Sequence, residues 1–227
     1  NPRLVYCAIS GFGQSSPGRP AYDHVVQAAT GMTLATGDAG DPPTKIGFPL
    51  IDAAAGMIAA LAVVSALRER DRTGRGMLLD VSMAAAGLQL MYPAACEALT
   101  DGREPERRGN QAASGSPASN VFATRDGGHI AIAANTPRQF VALLDAIGLP
   151  DLAADPACFE TPVLASSPPG FLRARDPVRV RDAIAARITA LDAGDIEIRL
   201  LAAKVPVSRV RTLASFAHDA MESGALD

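Results

Sequence analysis

The chain has 227 residues, 48% of them apolar, and carries 21 Lys and Arg against 24 Asp and Glu for a formal net charge of −3. That apolar content supports a sizeable core, in one large domain or two small ones, and a slightly acidic chain lacks the basic field that general nucleic-acid binding requires. Cys7, Cys96 and Cys158 are odd in number, far apart and set among apolar neighbours, the pattern of reduced thiols in a cytoplasmic protein rather than of a disulfide frame.

In chain order, residues 4–9 read as a buried strand running into a loop with Gly11 and Gly13, where glycine permits close backbone approach. Residues 22–32 read as a helix and 37–43 as a turn-rich excursion. Two uncharged runs follow, 53–67 and 83–96, the second interrupted by Pro93. Both fall short of the ~20 residues that span a bilayer and read as buried helices, with a strand at 77–81 between them. No charged start followed by a short apolar stretch and a cleavage site is present, so neither export nor a membrane partner is expected. Alternating strand and helix point to α/β architecture.

From 100 to 117 the composition turns polar, with Arg103, Arg107 and Arg108 clustered before Gly109, and a linker is placed there between domains at 1–99 and 118–227. In the second domain, 120–124 and 129–133 flank Asp126-Gly127, a hairpin signal. Thr136-Pro137 starts an amphipathic helix that buries Phe140, Leu143, Leu144 and Ile147 and stops at Gly148. A proline-rich stretch at 155–177 precedes a helix with Val180, Ile184, Ile188 and Leu191 on one face. A helix at 195–203, a strand at 205–210 and a closing helix at 213–222 complete a small α/β unit.

Asp52 stands alone in front of the run at 53–67, thirty residues after Tyr22. Read from pattern, it is a helix N-cap. The same position also suits a nucleophile, because a helix N-terminus favours a carboxylate or an oxyanion. Residue physics leaves both readings open.

Several motifs occur together and in order: Pro20-Ala21-Tyr22-Asp23, Gly37-Asp38 with Pro42-Pro43-Thr44-Lys45-Ile46-Gly47, Asp52-Ala53-Ala54-Ala55-Gly56-Met57, Arg70-Asp71-Arg72-Thr73-Gly74-Arg75-Gly76 and Asp80-Val81-Ser82. Gly109-Asn110, Pro117 and the segment Thr124 to Gly127 continue the series. Over nearly its whole length the chain thus resembles the class III coenzyme A transferases, the CaiB/BaiF family. The resemblance implies part of a Rossmann-like large domain plus a small α/β domain, an internal portion of a longer member without the nucleotide-binding-like part before it and the C-terminal return after it. It further implies an interlocked homodimer. The activity implied is transfer of coenzyme A between an acyl-CoA thioester and a carboxylic acid, with coenzyme A as co-substrate and no permanently bound cofactor or metal.

By the same resemblance Asp52 is the nucleophile, forming a mixed anhydride and then an aspartyl-CoA thioester, and Tyr22 is an active-site tyrosine. Pro20, Ala21 and Asp23 fall in a segment that touches coenzyme A. Ser114, Gly115 and Ser116 fall in a glycine-rich loop that closes over the intermediate, although Ala112-Ala113-Ser114 here replaces most of the glycines. Arg19, Lys45, Arg103, Arg107 and Arg108 are cations that either meet phosphates or form a solvated face. Two alternatives accompany this reading. The family's α-methylacyl-CoA racemases would need an acid–base pair at the Tyr22 and Asn135–Pro137 slots, where this chain has no acid, and His24 is expected on another helical face. A non-catalytic binding or assembly module is the other.

Overall fold

A computed structural model describes residues 1–164 and 170–225. By internal packing the chain divides into Asn1–Gly109 and Asn110–Asp227, and each unit is described by itself.

In the first unit, β1 (Val5–Ser10) pairs in parallel with β2 (Met77–Ser82), in register from Val5 with Met77 to Ser10 with Ser82. Parallel neighbours need a long crossover, and here it contains α1 (Asp23–Ala29), α2 (Met32–Ala35) and α3 (Leu50–Thr73). The expected helix at 22–32 is therefore two pieces, broken at Gly31, whose φ of 80° begins α2. Gly76 brings the crossover home, since a Cβ there would stand 1.9 Å from the Leu4 carbonyl oxygen.

Small residues let α3 lie close to the strands: Ala54, Ala55 and Ala59 pack with Val81 and Ala86 and against Cys7 and Met83. Its other side exposes Met57, Leu61 and Val64, at 69%, 70% and 65%. By length and composition α3 is long enough and apolar enough to cross a membrane, contrary to the expectation from the uncharged run alone. The difference is that the 24-residue helix extends two residues before Asp52 and six beyond Leu67.

Because the C-terminus of α3 feeds β2, its N-terminus lies at the carboxyl ends of the strands. Ile51 there is buried with Val26 and Met32 against Phe12, Ala21, Met83 and Ala84. α4 (Met83–Leu90) starts at the same end, with the Ser82 hydroxyl accepting from the Ala85 amide at 3.3 Å. The run at 83–96, read as a helix interrupted by Pro93, breaks instead at Met91, and α5 (Tyr92–Asp101) follows with Pro93 in its first turn, where proline costs no hydrogen bond.

In the second unit, β3 (Ser119–Ala123) and β4 (His129–Ala133) form the antiparallel hairpin across Asp126-Gly127, with Gly127 at φ 76°. β5 (Val207–Arg209), shorter than the expected strand at 205–210, pairs antiparallel with β4. α6 (Pro137–Ile147) carries a reciprocal capping box between Thr136 and Gln139 and ends at Gly148, φ 78°. With α7 (Pro177–Ile188) and α8 (Ala193–Ala202) it encloses a core of Phe140, Leu143, Leu144, Ile184, Ile196 and Leu200, all at most 1% exposed. Leu191 falls beyond α7 yet packs on this core. α9 (Leu213–Glu222) closes the unit. Pro168 and Pro169, part of the expected proline-rich stretch, lie outside the described residues.

Candidate active site

The carboxyl ends of parallel strands are where α/β proteins bind ligands, and in the first unit Asp52 stands at that end. It occupies the third position of α3 rather than the cap: Pro49 is the cap residue and offers no side-chain hydrogen bond. The capping carboxylate comes from α1. Asp23 Oδ2 accepts the backbone N–H groups of Ile51 at 2.7 Å and Asp52 at 3.1 Å.

The remaining first-turn donors are also occupied, Leu50 donating to the Phe48 carbonyl at 2.8 Å and Ala53 to that of Pro49 at 3.2 Å. The amides of this helix end are thus spent within the protein. The expectation that the helix end serves an oxyanion is corrected accordingly: the anion it serves is Asp23, and donors for a substrate oxyanion must come from elsewhere.

Relieved of the capping role, the Asp52 side chain is exposed, and among the described residues it has no hydrogen-bond or ion-pair partner. Ile51, fully buried next to it, anchors the turn. The arrangement presents a carboxylate to solvent from a fixed backbone.

Tyr22 precedes α1 in extended conformation, φ −130° and ψ 161°. It is 74% exposed, its ring open to solvent. Its ring stacks on His24, centroids 6.3 Å apart and planes 7° from parallel. The expected separation of His24 fails because Tyr22 lies outside the helix, where 100° per residue does not apply. Tyr22 and His24 are the chain neighbours of Asp23, whose carboxylate holds the amide of Asp52.

Asp23 itself is 8% exposed, and its oxygens are engaged by Gln27 and by the start of α3. Pro20 is exposed, and Ala21 packs in the cluster around Ile51. The guanidinium of Arg19 lies 3.5 Å from the centre of the Phe12 ring, a cation–π contact at the exit of β1.

Of the other cations, Arg103 pairs with Asp101 and Arg108 with Glu106. Arg107 donates to the carbonyls of Thr33, Leu34, Asp41 and Pro42, clamping the excursion between α2 and α3. Among the described residues no carboxylate pairs with Arg19 or Lys45, and no group of three His, Cys, Asp or Glu could hold a metal ion.

Ser114, Gly115 and Ser116 belong to the second unit. The hydroxyls of Ser114 and Ser119 both donate to Asn135 Oδ1, at 2.5 and 2.8 Å, and Ser116, fully buried, donates to the Ala134 carbonyl at 2.8 Å. Gly115, exposed at φ 73°, is the turn residue between these anchors. Asn135 carries no hint in the sequence as an anchor, because its partners lie sixteen and twenty-one residues upstream.

The exposed Asp52 carboxylate of this parallel βαβ unit thus stands at the end where α/β folds bind ligands. The chain belongs to CoA-transferase family III, which it matches over residues 1–223. It is 40% identical over 163 residues to acetyl-CoA:oxalate CoA-transferase of Acetobacter aceti, covering 70% of this chain and 41% of that protein. It is 32% identical over 221 residues to succinyl-CoA–D-citramalate CoA-transferase of Chloroflexus aurantiacus, covering 96% and 52%. Among solved structures, a CaiB/BaiF family protein from Brucella suis superposes with a TM-score of 0.75 at 27% identity, covering 94% of this chain and 54% of that one. A hypothetical protein from Mycobacterium tuberculosis superposes with a TM-score of 0.77 at 26% identity, covering 95% and 55%. The fold is that of these solved structures, the first a CaiB/BaiF family protein, and the chain spans about half the length of the relatives it matches.

Proposed function

We propose that the protein transfers coenzyme A between an acyl-CoA thioester and a carboxylic acid, with Asp52 as nucleophile. The observation that carries this is the Asp52 carboxylate, exposed and without a partner among the described residues, on a backbone pinned by Asp23. The names of the relatives, which pair acyl-CoA donors with oxalate or D-citramalate, support the reaction class.

In the proposed sequence an Asp52 oxygen attacks the thioester carbonyl and the C–S bond breaks, leaving a mixed anhydride and the thiolate of coenzyme A. The thiolate attacks the Asp52 carbonyl of the anhydride and expels the donor acid, forming the aspartyl-CoA thioester. The acceptor carboxylate then attacks that thioester, and the released thiolate takes the acceptor acyl group, which frees Asp52. No step consumes or releases a proton. The exposed ring of Tyr22 is assigned to the reacting group, Pro20 and Ala21 to contact with coenzyme A, and, in the second unit, Ser114 and Gly115 to contact with substrate, with the buried Ser116 anchoring their loop.

The wider reading is a cytoplasmic homodimer without nucleic-acid or membrane partner. The free cysteines and the exposed Met57, Leu61 and Val64 of α3 support reduced surroundings and an apolar partner surface. The test is acceptor-dependent transfer: acyl-CoA is supplied with a panel of dicarboxylic acids, and new thioesters are resolved by chromatography. Transfer that disappears in Asp52→Ala supports the reading, and undiminished turnover in that variant removes it.

A further inference from the structure

We propose that Asp23 and Gln27 act as a positioning pair that sets the backbone of Asp52, and with it the direction from which the nucleophile attacks. The proposal rests on the transferase reading above.

Both side chains are buried, Asp23 at 8% and Gln27 at 0% exposure. Asp23 Oδ2 is shared by the amides of Ile51 and Asp52, and Oδ1 accepts from Gln27 Nε2 at 2.5 Å. Gln27 Oε1 in turn accepts the amide of Ile46 at 2.8 Å. The orientation of the Gln27 amide is forced, because a carboxylate only accepts and a backbone N–H only donates. Two side chains of α1 therefore gather the loop at Ile46, the start of α3 and the segment that carries Tyr22 and His24.

A cap of this kind is unnecessary for making a helix. Ser, Thr, Asn or Asp at position 49 would cap α3 locally. Instead that position is Pro49, and the acceptor comes from 28 and 29 residues upstream. A local cap fixes the helix alone, whereas this one fixes the nucleophile's turn relative to the Tyr22 segment. Such positioning matters because a displacement of about 1 Å at a reacting group costs on the order of a hundredfold in rate.

The hydrogen-bond pattern allows an exchange test. In Asp23→Asn the carbonyl oxygen still accepts from α3, but the new NH₂ faces the NH₂ of Gln27, donor against donor. Adding Gln27→Glu restores the pattern, with the new carboxylate accepting from position 23 and from the Ile46 amide. The rate of adduct formation at Asp52 from an acyl-CoA is measured in the full-length protein, together with KM and the hydrogen-exchange protection of the Ile51 and Asp52 amides. Asp23→Asn is expected to slow adduct formation about a hundredfold, with KM within about threefold and with loss of that protection. The double variant is expected to recover at least tenfold of the lost rate and the protection.

A rate unchanged while protection is lost overturns the proposal, as does a double variant with restored protection and no recovered rate. Should Asp23→Asn alone fail to fold, the double variant against wild type decides, with a loss beyond about tenfold contradicting the exchange logic. Absence of any adduct in the wild type would instead overturn the transferase reading, while amide protection would still report whether the clamp exists.

Discussion

Gly11 and Ala21 meet so closely that a Cβ on Gly11 would stand 2.2 Å from the Ala21 Cβ. The contact ties the exit of β1 to the segment leading into Tyr22, and it exists because residue 11 has no side chain. Gly11→Ala must push the 20–23 segment away, with overpacking that costs typically about 1–3 kcal/mol. Chemical denaturation is expected to show that loss, and adduct formation at Asp52 should fall with it. A variant of wild-type stability and rate would show that the contact yields without consequence.

The stacked pair Tyr22 and His24 separates transfer from racemisation. Because the proposed transfer moves no proton, Tyr22→Phe should retain its rate within about tenfold, well short of the 10²–10⁴-fold that an acid–base group contributes. For the same reason no deuterium should enter the α-carbon of a 2-methylacyl-CoA in the absence of an acceptor acid. Exchange that depends on His24 would instead support racemase-like chemistry, with the exposed imidazole supplying the proton-transfer group.

In the second unit Glu197 is nearly buried beside Arg209 and Arg211. Burial pushes its carboxyl upward, but the Arg209 amide, the Arg209 guanidinium and Arg211 outweigh it and hold the group below the ordinary carboxylate value. A carboxyl whose folded pKa is depressed adds stability that is complete above its unfolded pKa and is lost as pH falls through the folded one. Resistance to urea is therefore expected to fall from about pH 5 downward, and Glu197→Gln should flatten part of that slope. Identical slopes in the two proteins would remove Glu197 from the account.

Cys158 is fully buried, and burial, followed by the hydrogen bond and charge of Asp155, raises its thiol pKa. A thiol reagent at neutral pH should modify Cys7 and Cys96 in the native protein and reach Cys158 only after denaturant is added. Equal labelling of all three would contradict the packing of Phe140 and Phe159 around that core.

The elements legible in the sequence are those whose signals are local. Thr136-Pro137 and Gly148 bound α6, and Asp126-Gly127 marks the hairpin, because caps and tight turns are decided within four residues. The start of α3 is legible only to within three residues, since its cap is supplied by Asp23 from another helix and Asp52 mimics a local one. The break at Met91 hides in a continuous apolar run, with Pro93 compatible with either one helix or two. The stacking of His24 on Tyr22 depends on where α1 begins, a boundary that periodicity does not resolve. The motif resemblance points to Asp52 and Tyr22, while the task of Asp23 depends on a contact between helices 28 and 29 residues apart in the chain.

The most direct measurement is to incubate the protein with an acyl-CoA, quench with hydroxylamine, and locate the product by peptide fragmentation. An activated aspartyl ester, anhydride or thioester becomes a hydroxamate at the residue that carried it. The account predicts a hydroxamate on Asp52 that depends on acyl-CoA, is absent in Asp52→Asn, and diminishes when an acceptor acid is added. A hydroxamate on another residue, or transfer that proceeds with Asp52 never modified, would contradict it.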